Sequence, residues 1–319
     1  MQEQFEDNFY PQKPILKEKN EVNSWGKTIS TMIIFIGTFM LLFNEEFYFI
    51  LILVGALFIH ELGHFLFMKL FNYQNVKMYF VPLMGAFVQG NKSKYSQFES
   101  LLVVGAGPFP GIILGIICAI VFQSTHEPLF LSCAIIFFAL NIINLFPLDP
   151  LDGGQLFKLL LKKNSNFFLL IFSFLSSLIL IGLGFYLENW FLMGFGFIMG
   201  IRVRSMQQMY YIRKELGEQG INYHIDYSDL PNRDYSMIKN ILLEHSKTLS
   251  KYKQMDDSDA TDKMIAEQVK GILVAPIERD ASLIFKIGVI LFWLASFIVP
   301  IFVLLNTDSY YINYGILFR

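Results

Sequence analysis

The chain has 319 residues, of which 54% are hydrophobic and 16% charged, with a net charge of −2. Ordinary globular chains carry about 25% charge, so this deficit, the 34 Phe and a mean hydropathy of +0.46 point to a polytopic membrane protein. The same balance excludes a secreted disulfide scaffold, a disordered tail protein and a nucleic-acid binder that works through a basic surface.

Residues 1–28 are polar and mixed in charge and read as a tail; no signal-peptide pattern is found in them. Residues 29–203 are predicted to form a transmembrane core. Its first apolar run, Trp25 to Phe43, is followed by the turn Asn44-Glu45-Glu46. The second, Phe47 to Phe71, is long enough to cross a bilayer, which takes about 20 helical residues. Residues 72–97 break the helical pattern, and Val76–Val81 and Ala86–Gln89 flank Pro82-Leu83-Met84-Gly85 as a strand–turn–strand element. Further apolar runs follow at 98–122, 129–148, 167–187 and 190–203, with Cys118 and Cys133 read as inert membrane thiols. The polar stretch 204–282 is predicted to be a mostly helical soluble domain, in which Asp256-Asp257-Ser258-Asp259 is a solvated loop. A last run, 283–304, spans again, with Lys286 placed to snorkel, and leaves 305–319 as a tail. The predicted class is an all-α membrane protein of about six core spans with a small β element, a soluble insertion and one extra C-terminal span.

Basic residues set the orientation. With residues 1–28 in the cytoplasm, the outer segments are 44–46, 123–128, 188–189 and 305–319, and Arg319 is the one Lys or Arg that falls outside. That asymmetry follows the positive-inside rule and predicts a multi-pass protein of the cell membrane, with the 204–282 domain cytoplasmic. The short, Gly-rich run 190–203 is the weak point, because the domain changes sides if this run does not cross.

The second span contains His60-Glu61-Leu62-Gly63-His64. Positions i and i+4 share a helix face, so both imidazoles can reach one zinc ion, and Glu61 stands beside it as the natural base for an activated water. Ionisable groups inside an apolar helix are expensive and usually functional; the competing reading is a buried polar cluster that pairs helices. From Phe47 to His60 is about 20 Å of helical rise, which places His60 roughly two-thirds of the way in from the outer face. A catalytic zinc site usually takes three protein ligands, so a third must come from elsewhere. The segment Asn144-Leu145-Phe146-Pro147-Leu148-Asp149-Pro150-Leu151-Asp152-Gly153-Gly154 ends the fourth span, and its prolines break the helix near the inner face. Asp149 and Asp152 are both candidates there, and Asp152 also reads as an N-cap for a helix starting near Gly153.

These two segments resemble the site-2 protease family of intramembrane zinc metalloproteases, peptidase family M50. That family pairs HExxH in one span with N-x-x-P-x-x-x-L-D-G in a later one, matched here by His60–His64 and Asn144–Gly153. The resemblance covers about residues 30–200. It implies His60, His64 and Asp152 as ligands of one zinc ion, Glu61 as the catalytic base, and Asn144 in holding substrate backbone or the developing oxyanion. The implied substrate is a transmembrane segment of another membrane protein, met within the lipid bilayer and cut near its cytoplasmic end; no nucleic acid is involved. Pro82–Val88 is similar to the family's glycine-bearing strand, whose edge can accept an unwound substrate, or is an ordinary interfacial hairpin. Gly105-Ala106-Gly107-Pro108-Phe109-Pro110-Gly111 resembles the family's G-P-x-x-N segment, with Gly111 where Asn is common. Small residues at such a place also permit close helix packing.

The chain departs from larger family members: residues 65–143 leave no room for a PDZ domain, and no CBS pair follows the core. A regulatory or substrate-docking role is expected for 204–282. Three rivals stand against a protease of this family. A CAAX-type membrane metalloprotease takes a Glu ligand, a non-catalytic homologue binds transmembrane helices without cutting them, and a metal or ion transporter needs a polar path across the whole membrane. His126, His224 and His245 have no partners at metal-ligand spacing and are assigned no role.

Overall fold

The computed structural model describes residues 10–16, 25–42, 47–82, 85–92, 94–148, 151–161, 165–186, 188, 190–255 and 258–307. The Asn44–Glu46 turn, Leu83, Met84, Asp149, Pro150, Asp256 and Asp257 lie outside them. In chain order the elements are α1 (Trp25–Leu42), α2 (Phe47–Leu70), β1 (Gln74–Val81), β2 (Gly85–Asn91), α3 (Gln97–Ala106), α4 (Pro108–Thr125), α5 (Pro128–Leu145) and α6 (Asp152–Leu160). They continue as α7 (Ser165–Tyr186), α8 (Trp190–Glu218), α9 (Asn232–His245), α10 (Lys247–Met255), α11 (Asp259–Ile272) and α12 (Leu283–Leu305). By length and composition, Phe47–Leu70, Gln97–Thr125, Pro128–Leu145 and Leu283–Leu305 can each cross a membrane; Trp25–Leu41 and Leu170–Tyr186 are shorter apolar helices. The protein is therefore a mostly helical membrane protein.

Contacts divide the chain into two units, one formed by residues 20–165 with 278–319 and the other by 1–19 with 166–277. In the first, the apolar run at 98–122 is two helices, because Pro108 lacks an N–H and starts α4 directly after α3 ends at Gly107. Ser96 caps α3 by accepting from the Glu99 amide, and Asp280, just before α12, accepts from the Phe98 amide at 3.0 Å. β1 and β2 pair antiparallel, with Met78 opposite Val88 and Val81 opposite Gly85. Hydroxyls of α1 cover the other edge of β1: Thr28 donates to Met78 O at 2.8 Å, and Thr31 accepts from the Phe80 amide. Such cover blunts a strand edge that would otherwise pair with another chain.

In the second unit, α8 runs without a break through residue 204, so the end of the apolar run is no helix boundary. Its far half packs Ile212 and Leu216 against Ile238, Ile241 and Leu242 of α9 and Ile265, Val269 and Ile272 of α11. Residues 10–16 lie on this domain. The Lys13 ammonium donates to the carbonyls of Tyr227, Ser228 and Leu230 at 2.7, 2.8 and 2.6 Å, and sits over the Tyr227 ring. The Lys13 amide donates to Asn232 Oδ1 at 3.0 Å, and the Tyr227 hydroxyl donates to Pro14 O at 2.9 Å.

Candidate metal centre

The buried face of α2 comprises Ile50, Val54, Ala56, Leu57, His60, Glu61, Gly63 and His64, a stripe that repeats every three to four residues. The polar residues thus continue a hydrophobic packing face, and His60, Glu61 and His64 are 2%, 5% and 8% exposed. Two helices approach them closely. A side-chain carbon on Gly63 would overlap the Ala106 carbonyl at the end of α3, and one on Gly107 would overlap the His64 ring.

Asp152 arrives from α6. The chain leaves α5 at Leu145 and passes through Phe146–Leu148, where Leu148 N–H donates to Phe146 O at 2.7 Å. Leu151, not Asp152, is the N-cap of α6, and no side chain caps that helix. The Asp152 carboxylate is instead turned to the histidines: Oδ2 lies 3.0 Å from His60 Nε2 and 3.3 Å from His64 Nε2. The two Nε2 atoms are 3.3 Å apart. A carbonyl freed by the chain break, Leu145 O, accepts from the Trp293 indole of α12 at 2.8 Å and lies against Gly153, where a side chain would overlap it.

The outer nitrogens of the imidazoles fix what the inner ones carry. His64 Nδ1 is 2.8 Å from the Val103 carbonyl, which can only accept, so Nδ1 holds a proton and, in the neutral imidazole, Nε2 a lone pair. His60 Nδ1 is 2.8 Å from Asn141 Oδ1, with the same result. In the neutral form that a bound metal requires, three lone-pair atoms face one another, and Asp152 Oδ2 is buried with no hydrogen-bond donor. Metal bonds of about 2.0–2.1 Å to nitrogen and oxygen give tetrahedral edges of about 3.3 Å, and the edges here are 3.0, 3.3 and 3.3 Å. The donor set fits one divalent metal ion of the zinc type, and among the described residues His60, His64 and Asp152 are the group able to hold one.

Glu61 lies between its two histidine neighbours in sequence, and its carboxylate accepts from the backbone amide of Val88 in β2. Asn144 is not one of the three converging residues; its amide donates to Leu140 O at 3.1 Å, one turn back along α5. Asp149, the other carboxylate of the broken segment, lies outside the described residues. Sequence reasoning missed Asn141 and Trp293. An Asn inside the apolar run 129–148 was the available signal, since a buried polar side chain there needs a partner.

A family model described as Peptidase family M50 matches residues 48–128, which carry α2, the hairpin, α3 and α4. A protein named zinc metalloprotease from Methanocaldococcus jannaschii is 30% identical over 125 residues. The match covers 37% of this chain, and the chain spans 35% of that relative's length. The HExxH helix thus lies within the segment that matches peptidase family M50, and its histidines meet a carboxylate in space.

Proposed function

We propose that this protein is an intramembrane zinc metalloprotease that hydrolyses a peptide bond in or near a transmembrane segment of another membrane protein. The observation that carries this reading is the set of three lone-pair atoms facing one another, with Glu61 beside them on an apolar helix long enough to span. His60, His64 and Asp152 would hold one zinc ion. Zinc bound there supplies a Lewis acid that polarises the scissile carbonyl and lowers the pKa of a neighbouring water towards 7.

Glu61 takes a proton from the attacking water as its oxygen bonds to the carbonyl carbon. It returns that proton to the nitrogen as the C–N bond breaks, so the leaving group departs as a neutral amine. A helical substrate has its carbonyls already bonded and must unwind first. β1 has α1 on one edge and β2 on the other, whereas β2 brings the Val88 amide to Glu61, so an extended substrate added beside β2 reaches the base. Asn144, the penultimate residue of α5, would hold the extended backbone after leaving Leu140 O. The Lys/Arg bias puts the site towards the cytoplasm of the cell membrane. The 204–282 domain then serves in regulation or substrate docking.

Glu61→Gln, reconstituted in vesicles with a reporter transmembrane segment, should lose about 10²–10⁴-fold in cleavage rate while keeping its zinc. His64→Ala should lose both. Full cleavage by Glu61→Gln sinks the mechanism.

A further inference from the structure

We propose that Asn141 is a positioning residue that sets the tautomer of His60, in a slot that Gly111 leaves open. This rests on the metal-site reading above and assigns a residue to it that neither motif contains. Asn141 lies one turn before Asn144 on the inner face of α5 and is fully buried. Its Nδ2 donates to the Phe137 carbonyl at 2.6 Å. A carbonyl can only accept, so this bond fixes which way the amide points and turns Oδ1 towards His60. Oδ1 is 2.8 Å from His60 Nδ1, which must then carry its proton. In the neutral imidazole the relay from Phe137 O through Asn141 to His60 leaves Nε2 bare, and Nε2 is the atom that faces His64 and Asp152.

The amide fits because position 111 has no side chain. A carbon placed on Gly111 of α4 would overlap Nδ2, Cγ and Oδ1 of Asn141. One turn further along the same interface, Gly115 is filled in the same way by the Phe138 ring. Residues one turn apart on α5 thus occupy two glycine gaps of α4, one with an apolar ring and one with an amide. The amide is the member aimed at the metal centre. It takes up the space into which a polar residue at position 111 would project, so the polar group comes from α5 instead of α4.

The test compares a nearly isosteric variant, Asn141→Asp, with an apolar one, Asn141→Leu, in the detergent-solubilised full chain, with Co2+ as the probe and Zn2+ in competition. Asn141→Leu and Asn141→Asp both lose the bond to Phe137 O, but Asp keeps an acceptor for His60 Nδ1. Partners of this kind are typically worth about 10–100-fold in metal affinity. Asn141→Leu should therefore bind Co2+ about 10–100-fold more weakly and change its visible d–d bands, whereas Asn141→Asp stays within a few-fold of wild type. A purely structural role, carried by the bond to Phe137 O that both variants lose, predicts weakened Co2+ binding in Asn141→Asp as well. If Asn141→Leu does not fold, Asn141→Asp decides: affinity held near wild type supports the assignment, and a loss of 10-fold or more overturns it. Asn141→Leu binding as tightly as wild type overturns it as well. Wild-type protein that takes up no Co2+ overturns the metal-site reading and this inference together.

Discussion

At Gly107 a single methyl group decides the shape of the site. Its Cβ would overlap the Nε2, Cε1 and Cδ2 atoms of His64, on the atom proposed to bind metal. Gly107→Ala must displace the imidazole or force α3 away from α2, so it should lower bound zinc well below one equivalent with the helical circular dichroism unchanged. Gly105→Ala, where no atom lies within 4 Å of the added carbon, is the control and should keep its zinc. Equal zinc in both would show that the site tolerates movement of His64. At this scale the sequence was most legible where a spacing maps onto one helix. His60 and His64 share a face because four residues make about one turn. Asn141 and His60 are 81 residues apart, and nothing local announces that they meet. A helix cap is the competing reading of Asp152 because Asp commonly is one; the backbone instead starts α6 at Asp152 and leaves its side chain to the histidines.

Among the elements, α12 has the most to do with the site for its place in the chain. It lays Phe285, Phe292 and Phe297 against Phe98, Phe109 and Phe146, and Trp293 against Phe157. Trp293 also closes off the carbonyl that α5 leaves unpaired where it breaks. Trp293→Phe keeps the ring and removes the donor, a loss of about 1 kcal/mol for one neutral hydrogen bond. The expected result is faster amide hydrogen exchange at Leu148 and Leu151 and slightly weaker zinc retention; unchanged exchange would detach α12 from the site. The apolar character of 283–304 was plain in the sequence, but a helix coated all round in Phe, Ile, Leu and Val does not declare which side packs. Charge was the misleading signal elsewhere. Arg202 and Arg204 mark where hydrocarbon ends, yet Arg is a good helix former and α8 continues to Glu218.

For the whole molecule, the segment that reads as a polar tail is partly built into a folded domain. Residues 10–16 are held there by a lysine that spends its three donors on three carbonyls. Those partners lie more than 200 residues away, beyond the reach of any composition or spacing argument. The contact bears on a question of parity. A stretch of chain whose two ends are fastened on one side of a bilayer crosses it an even number of times. Between Leu16 and α9 the apolar helices Trp25–Leu41, Phe47–Leu70, Gln97–Thr125, Pro128–Leu145 and Leu170–Tyr186 make five. If each crosses once, the first half of α8 supplies the sixth crossing, although its composition alone does not mark it as a span. Single cysteines in a Cys118→Ser, Cys133→Ser background can read this with a membrane-impermeant thiol reagent. Tyr10→Cys and Gln219→Cys should react from the same side and Glu188→Cys from the other; opposite sides for the first two would break the parity. One lysine held by three carbonyls thereby predicts on which side of the bilayer each end of α8 lies.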